Sequence, residues 1–145
     1  MIENFEDLVR MALAENDPPQ LLTVLVKAEP MMARDEDGQE RPLDGEGVLK
    51  PIMVKSRSVT EDLDFATLSA EADQADQRWV FIMLAILPGH DGKPPSPADV
   101  DTHLKNMARA LLTGGDLTRY LFIDRKGELV QISALHGAAN DTGSP

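Results

Sequence analysis

The order α-β-β-α-β-α-β-β along this chain predicts an α/β or α+β fold, a single domain on a mixed sheet of about five strands with helices packed on the sheet. Three observations carry that expectation. From Trp79 to Leu87 every side chain is apolar and the run stops at Pro88-Gly89, so it reads as a central strand buried on both faces. It is about half the roughly 18 residues a membrane-spanning helix needs. Residues 60–76 show helical periodicity between an earlier strand and this run, the look of a right-handed βαβ crossover between parallel strands. Finally, Ser96 as N-cap, Pro97 at the first helical position and Asp99 at the third open a helix that Gly114-Gly115 closes.

The elements follow in order. Phe5, Leu8, Val9, Ala12 and Leu13 recur at helical spacing over residues 4–15, with Asn4 and Asp7 as a capping pair and Asn16-Asp17-Pro18-Pro19 as the stop. Gln20–Lys27, rich in Leu and Val, is the first strand. Residues 28–47 hold acids, glycines and prolines without periodicity and read as a long loop, disordered or a mobile hairpin extension. Val48–Lys55 is the second strand, and Pro51, with no amide to donate, assigns it to a sheet edge or a bulge. Thr60 is expected to cap the helix over 60–76, whose inward stripe is Phe65, Leu68, Ala72 and Ala75. In the helix after Ser96, Val100, Leu104, Met107, Ala108 and Leu111 face inward. Arg119–Asp124 and Glu128–Ser133 flank Arg125-Lys126-Gly127 as a β-hairpin in which Gly127 takes a positive φ. Residues 1–133 thus form one domain with a long loop at 28–47, and 134–145 a disordered tail.

A chain of 145 residues buries a core without covalent staples. With 25 acidic against 14 basic residues, a net charge of -11 and no basic stripe, it repels phosphate backbones and anionic bilayers, so neither nucleic acid nor membrane is expected as a partner. The absence of cysteine excludes disulfides, thiolate metal sites and a thiol nucleophile. The start MIENFEDLVR lacks a basic segment followed by an apolar one, so a secretory signal is not read there and cytoplasmic residence is the default.

Several segments together carry a resemblance: IENFEDLV, LKPIMV, RWVFIMLAILPG with GKPPSPADV, and YLFIDRKGELVQI. They resemble a family of short proteobacterial proteins that often bear the label "ribonucleotide reductase subunit alpha". The likeness covers most of the chain, with residues 28–47 and the last ten outside it. The label implies radical chemistry that depends on cysteines. This chain has none, so reductase catalysis is excluded, and the resemblance implies no catalytic residue at any position here.

Among candidate sites, loop 88–97 ranks first, because ligands in open α/β sheets sit beyond the carboxyl ends of parallel strands. Gly89 and Gly92 permit close backbone approach, His90 and Asp91 are polar, Lys93 is cationic, and Ser96 opens an amide-rich helix start, a set suited to a small anionic ligand or substrate. Against this, the spacing matches no phosphate loop and Pro94, Pro95 and Pro97 remove three amides, so a structural connector is the favoured reading of the loop and the ligand site the alternative. His90, Asp91, Asp99, Asp101 and His103 offer no third ligand at a recognised spacing; no metal and no cofactor is expected. No serine stands in a nucleophile-elbow setting, and no catalytic residue is assigned. Met31 and Met32 in the long loop, Pro51 on the edge, and Trp79 and Tyr120 at strand starts are the candidate contacts for a protein partner, although core or strand-edge packing is the default for the two aromatics. The leading expectation is a non-catalytic module that binds another protein, with homodimerisation through an edge strand left open. The anionic ligand at loop 88–97 is the alternative.

Overall fold

A computed structural model describes residues 2–130. In chain order these form α1 (Phe5–Leu13), β1 (Gln20–Arg34), β2 (Glu40–Ser58), α2 (Phe65–Ala75), β3 (Trp79–Leu87), α3 (Pro97–Thr113), a 3₁₀ turn at Leu117–Arg119, β4 (Leu121–Ile123) and β5 (Leu129–Val130). The five strands make one open sheet in the order β2-β1-β3-β4-β5, and every neighbouring pair is antiparallel. The fold is α+β, and the expected mixed sheet is corrected to an antiparallel one. β2 and β3 do run in the same direction, but β1 lies between them, so the connection through α2 joins strands that never pair.

The misreading of direction has a physical cause. A continuous apolar strand usually signals a parallel sheet, since such sheets are covered on both faces. Here helices cover both faces of an antiparallel sheet. On one face Phe5, Leu8 and Ala12 of α1 and Leu68 and Ala72 of α2 pack on Leu21, Leu25, Ile82, Leu84 and Ile123. On the other, Leu104, Met107 and Leu111 of α3, with Leu117, pack on Leu22, Val24, Val26, Met83 and Phe122. Alternate residues of β3 and of residues 21–26 of β1 therefore enter opposite cores. Thr23 is the one buried polar residue among those described, and its hydroxyl donates to the Lys55 carbonyl at 3.2 Å.

Local signals placed the helix ends. Asn4 accepts from the Asp7 amide at 2.9 Å and Ser96 from the Asp99 amide at 3.1 Å, while Gly114 ends α3 in the left-handed region at φ 73°. α2 begins later than expected. Its cap is Asp64, which accepts from the Thr67 amide at 2.9 Å. Thr60 instead donates its hydroxyl to Asp62, in a turn that seats Val59 and Leu63 in the core. Arg119 is likewise not strand: Asp116 caps the 3₁₀ turn, and β4 starts at Leu121. Among the described residues no helix is long and apolar enough to cross a membrane.

Of the two readings of residues 28–47, disorder or a hairpin extension, the ladder shows the second: β1 and β2 continue pairing, with Ala28 opposite Leu49, Glu29 opposite Val48 and Arg34 opposite Glu40. The residues there show no period-two alternation of apolar and polar types, so the sequence carried no periodic strand signal. The hairpin closes at Asp35-Glu36-Asp37-Gly38-Gln39. The Asp35 amide donates to the Gln39 carbonyl, the Asp35 side chain accepts from the amides of Asp37 and Gln39, and Gly38 has φ 81°. The β4–β5 turn repeats these bonds with Asp124-Arg125-Lys126-Gly127-Glu128 and φ 83° at Gly127. Both are three-residue hairpin loops in which an Asp side chain takes the backbone amides of the turn. The expected strand residues 131–133 and the tail 134–145 lie outside the described residues.

Candidate functional site

Loop 88–97 leaves β3 and turns at once. His90 and Lys93 exchange backbone hydrogen bonds of 2.9 and 3.0 Å around Asp91 and Gly92, both at positive φ (56° and 74°), which makes a two-residue primed turn. The Gly92 amide donates to the Asp17 carboxylate at 2.8 Å. Gly89 is needed for close approach, but to the chain itself: a Cβ there would stand 2.1 Å from the Lys93 carbonyl oxygen and 2.6 Å from that of Pro18. Ser96 caps α3. The amides of His90, Gly92 and Lys93 are thus committed to the chain's own acceptors, and Asp17 already supplies the carboxylate at Gly92. Lys93 is exposed and makes no ion pair among the described residues. The arrangement is that of a structural connector anchored on residues 17 and 18.

The histidines and acids of this region do not converge. His103 sets Nδ1 against the Asp99 carbonyl oxygen at 2.9 Å, and His90 lies 3.5 Å from Asp91. Among the described residues no group of three His, Asp or Glu side chains is placed to hold a metal ion.

Trp79 takes its default role as a core residue, which removes it from the candidate docking contacts. It is 1% exposed, its Nε1 donates to Asp73 at 3.0 Å, and the Arg125 guanidinium lies 4.3 Å above its ring. Tyr120 is half-buried beside Arg119. Met31 and Met32 fall in the far part of β1, and their side chains lie outside the described set.

What remains of the expected docking surface is β2. The strand forms one margin of the sheet, and its ladder with β1 has a bulge where Leu25 and Val26 face Met53 and Pro51. Pro51 therefore sits at an edge and at a bulge together, the two places that tolerate a missing amide. Met53 and Val54, adjacent and so on opposite faces, are 39% and 43% exposed. On the Met53 face a narrow cleft of about 50 Å³ runs between β2 and α2, lined by Leu25, Leu68, Ala72 and Ala75. A wider one of about 490 Å³ lies between the β2 residue Ser56 and Pro94, Pro95, Pro97 and Val100 at the start of α3.

Charge along the second half of β2 runs against that of the whole chain. Residues 48–58 carry Lys50, Lys55 and Arg57 and no acid. Glu71 on α2 receives Arg57 at 2.6 Å and Lys55 at 3.2 Å, and these bonds, Arg57 first, hold its carboxyl below the usual range. Glu29 on β1 receives Lys27 at 2.8 Å and Lys50 at 3.0 Å, which lowers its pKa from 4.5 to about 2. Two acids thus serve four cations, and the margin keeps positive character.

No protein-family model, no curated protein and no solved structure matches the chain. The reading of the site rests on its residues.

Proposed function

We propose that this domain is a non-catalytic module that binds another protein along the outer margin of β2. The observation that carries the reading is the pairing of exposed Met53 and Val54 on opposite faces of an open sheet edge, Met53 lining one cleft and Val54 sharing its strand face with Ser56, which lines the other. An extended partner segment laid against β2 sends successive side chains to the two clefts in turn, because strand side chains alternate. The cations of β2 favour acidic groups beside those apolar residues.

A different chain fits this margin better than a second copy. Pro51, the bulge and the lysines are the devices by which natural edges avoid pairing with their own kind, and two β2 strands would bring two sets of Lys50, Lys55 and Arg57 together. Photo-crosslinking tests the proposal: a benzophenone side chain at Val54 captures a discrete protein, whereas the same group at the more exposed Leu112, on α3, does not. Met53→Glu abolishes the capture and, being at the surface, changes stability by no more than about 0.5 kcal/mol. Equal capture from both positions, or capture indifferent to Met53→Glu, refutes the reading. Capture of a second copy of the chain would assign homodimerisation instead.

A further inference from the structure

The anion site expected at loop 88–97 is closed by the chain's own bonds, but free cations do gather elsewhere. Among the described residues Lys93, Arg109, Arg119 and Lys126 make no ion pair. Two of these, Arg109 of α3 and Arg119 of the 3₁₀ turn, line one cleft of about 270 Å³ together with Asn106 and Tyr120. In a chain with 25 acids to 14 bases, two guanidiniums in one cleft with no ion pair to either are unusual.

Arginines near a helix end often meet its terminal carbonyls. These do not. The amides of Gly114 and Gly115 donate to the Ala110 carbonyl, and the Thr113 hydroxyl donates to the Arg109 carbonyl at 2.8 Å. Asp116, the one acid lining the cleft, turns its carboxylate to the amide and hydroxyl of Thr118, and these bonds, with a smaller contribution from the charge of Arg119, hold its pKa below the usual range without an ion pair. The guanidiniums therefore keep their donors: Arg109 has only the Asn106 side chain, at 3.5 Å, and Arg119 lies beside the Tyr120 ring, 6.0 Å from its centroid.

We propose that this cleft binds a small, doubly charged oxyanion of the phosphate type, as the free ion or a monoester. Two guanidinium forks match the charge and oxygen geometry of such an anion. Asn106 and Tyr120 add neutral donors, and His103, Thr113 and the Thr118-bound carboxylate of Asp116 make up the rest of the polar lining. The volume falls below the roughly 300–1,000 Å³ of sites for larger ligands, so a nucleotide is not the occupant.

The test is a titration of the full-length protein, followed through the Nε–Hε signals of its arginines, with sodium phosphate, with phenyl phosphate, and with sodium chloride at matched ionic strength. Saturable shifts of Arg109 and Arg119 in the millimolar range are expected with the phosphates and not with chloride. Tighter binding of phenyl phosphate assigns the monoester, and tighter binding of phosphate the free ion. Arg109→Gln and Arg119→Gln each weaken binding about tenfold, since each removes a charge-assisted contact. Arg109→Lys and Arg119→Lys, which keep the charge and lose the fork, fall between. Shifts equal to those with chloride, no saturation, or unchanged binding in the double Gln variant overturns the proposal.

Discussion

Replacing Arg125 tests how the β4–β5 turn is fastened to the rest of the fold. Its Nε donates to the Trp79 carbonyl and its Nη1 to Asp73, both at 2.9 Å; Nη2 donates to the Gln77 carbonyl, and the guanidinium covers the Trp79 ring. One side chain thus ties the turn to the end of α2 and the start of β3. In Arg125→Ala, the bond to the Trp79 carbonyl accounts for about 1 kcal/mol. The ring contact adds about 0.5 kcal/mol. The pair with Asp73, with both side chains 41% exposed and screened by solvent, adds roughly 0.5 kcal/mol. The sum is about 2 kcal/mol, or a fall in Tm of roughly 4–8 °C for a chain of this size. Trp79 is the only tryptophan, so denaturation followed by its fluorescence reads the loss at the site itself. Arg125→Lys keeps the charge but cannot reach three acceptors at once, and loses most of the same stability. If Arg125→Ala stayed within about 0.5 kcal/mol of the parent, or Arg125→Lys matched it, the fastening would not be the guanidinium fork.

Gly89→Ala forces its methyl against two backbone carbonyls and is expected to destabilise by about 2–3 kcal/mol, with faster hydrogen exchange at the Gly92 amide as the loop leaves Asp17; slow exchange in that variant would argue that the loop adapts. Gly127→Ala combines φ 83° with a Cβ 2.8 Å from the Phe65 ring, and should cost about 1–3 kcal/mol in urea melts. Gly38→Ala, at φ 81° with open space around it, should cost less than Gly127→Ala, and the reverse order would refute the packing argument. Glu29, with a folded pKa of about 2 against 4.5, binds fewer protons folded than unfolded, so its stabilising pairs are intact above pH 4.5 and are lost as pH falls towards 2. Asp76, lowered from 3.8 to about 2 by its bonds with Arg78, acts in the same direction and overlapping window. A carboxyl-detected NMR titration should place Glu29 well below 4.5 and show it rise in Lys50→Met; titration at its ordinary value would remove the pairs from the account.

Sequence alone resolved what is decided within a few residues. Asn4, Ser96, Pro97 and Gly114 marked helix ends because capping depends on local backbone geometry. Gly127 marked a turn for the same reason, and Pro51 an edge because its missing amide can be tolerated in few places. Asp35-Glu36-Asp37-Gly38 repeats the Asp-x-x-Gly pattern of Asp124–Gly127, a local signal that decides for a hairpin over disorder in residues 28–47.

Strand direction was not legible, because an apolar strand covered on both faces looks the same whether its neighbours run with it or against it. Nor was the state of loop 88–97, whose Gly92 amide is held by an aspartate 75 positions away. The cleft of Arg109 and Arg119 joins residues of two elements, and the margin of β2 gains its clefts from α2 and α3. Burial on two faces, caps and turns are properties of short stretches, and this chain states them in its residues. Which polar groups stay free for a ligand is settled only when distant segments pack and satisfy the rest.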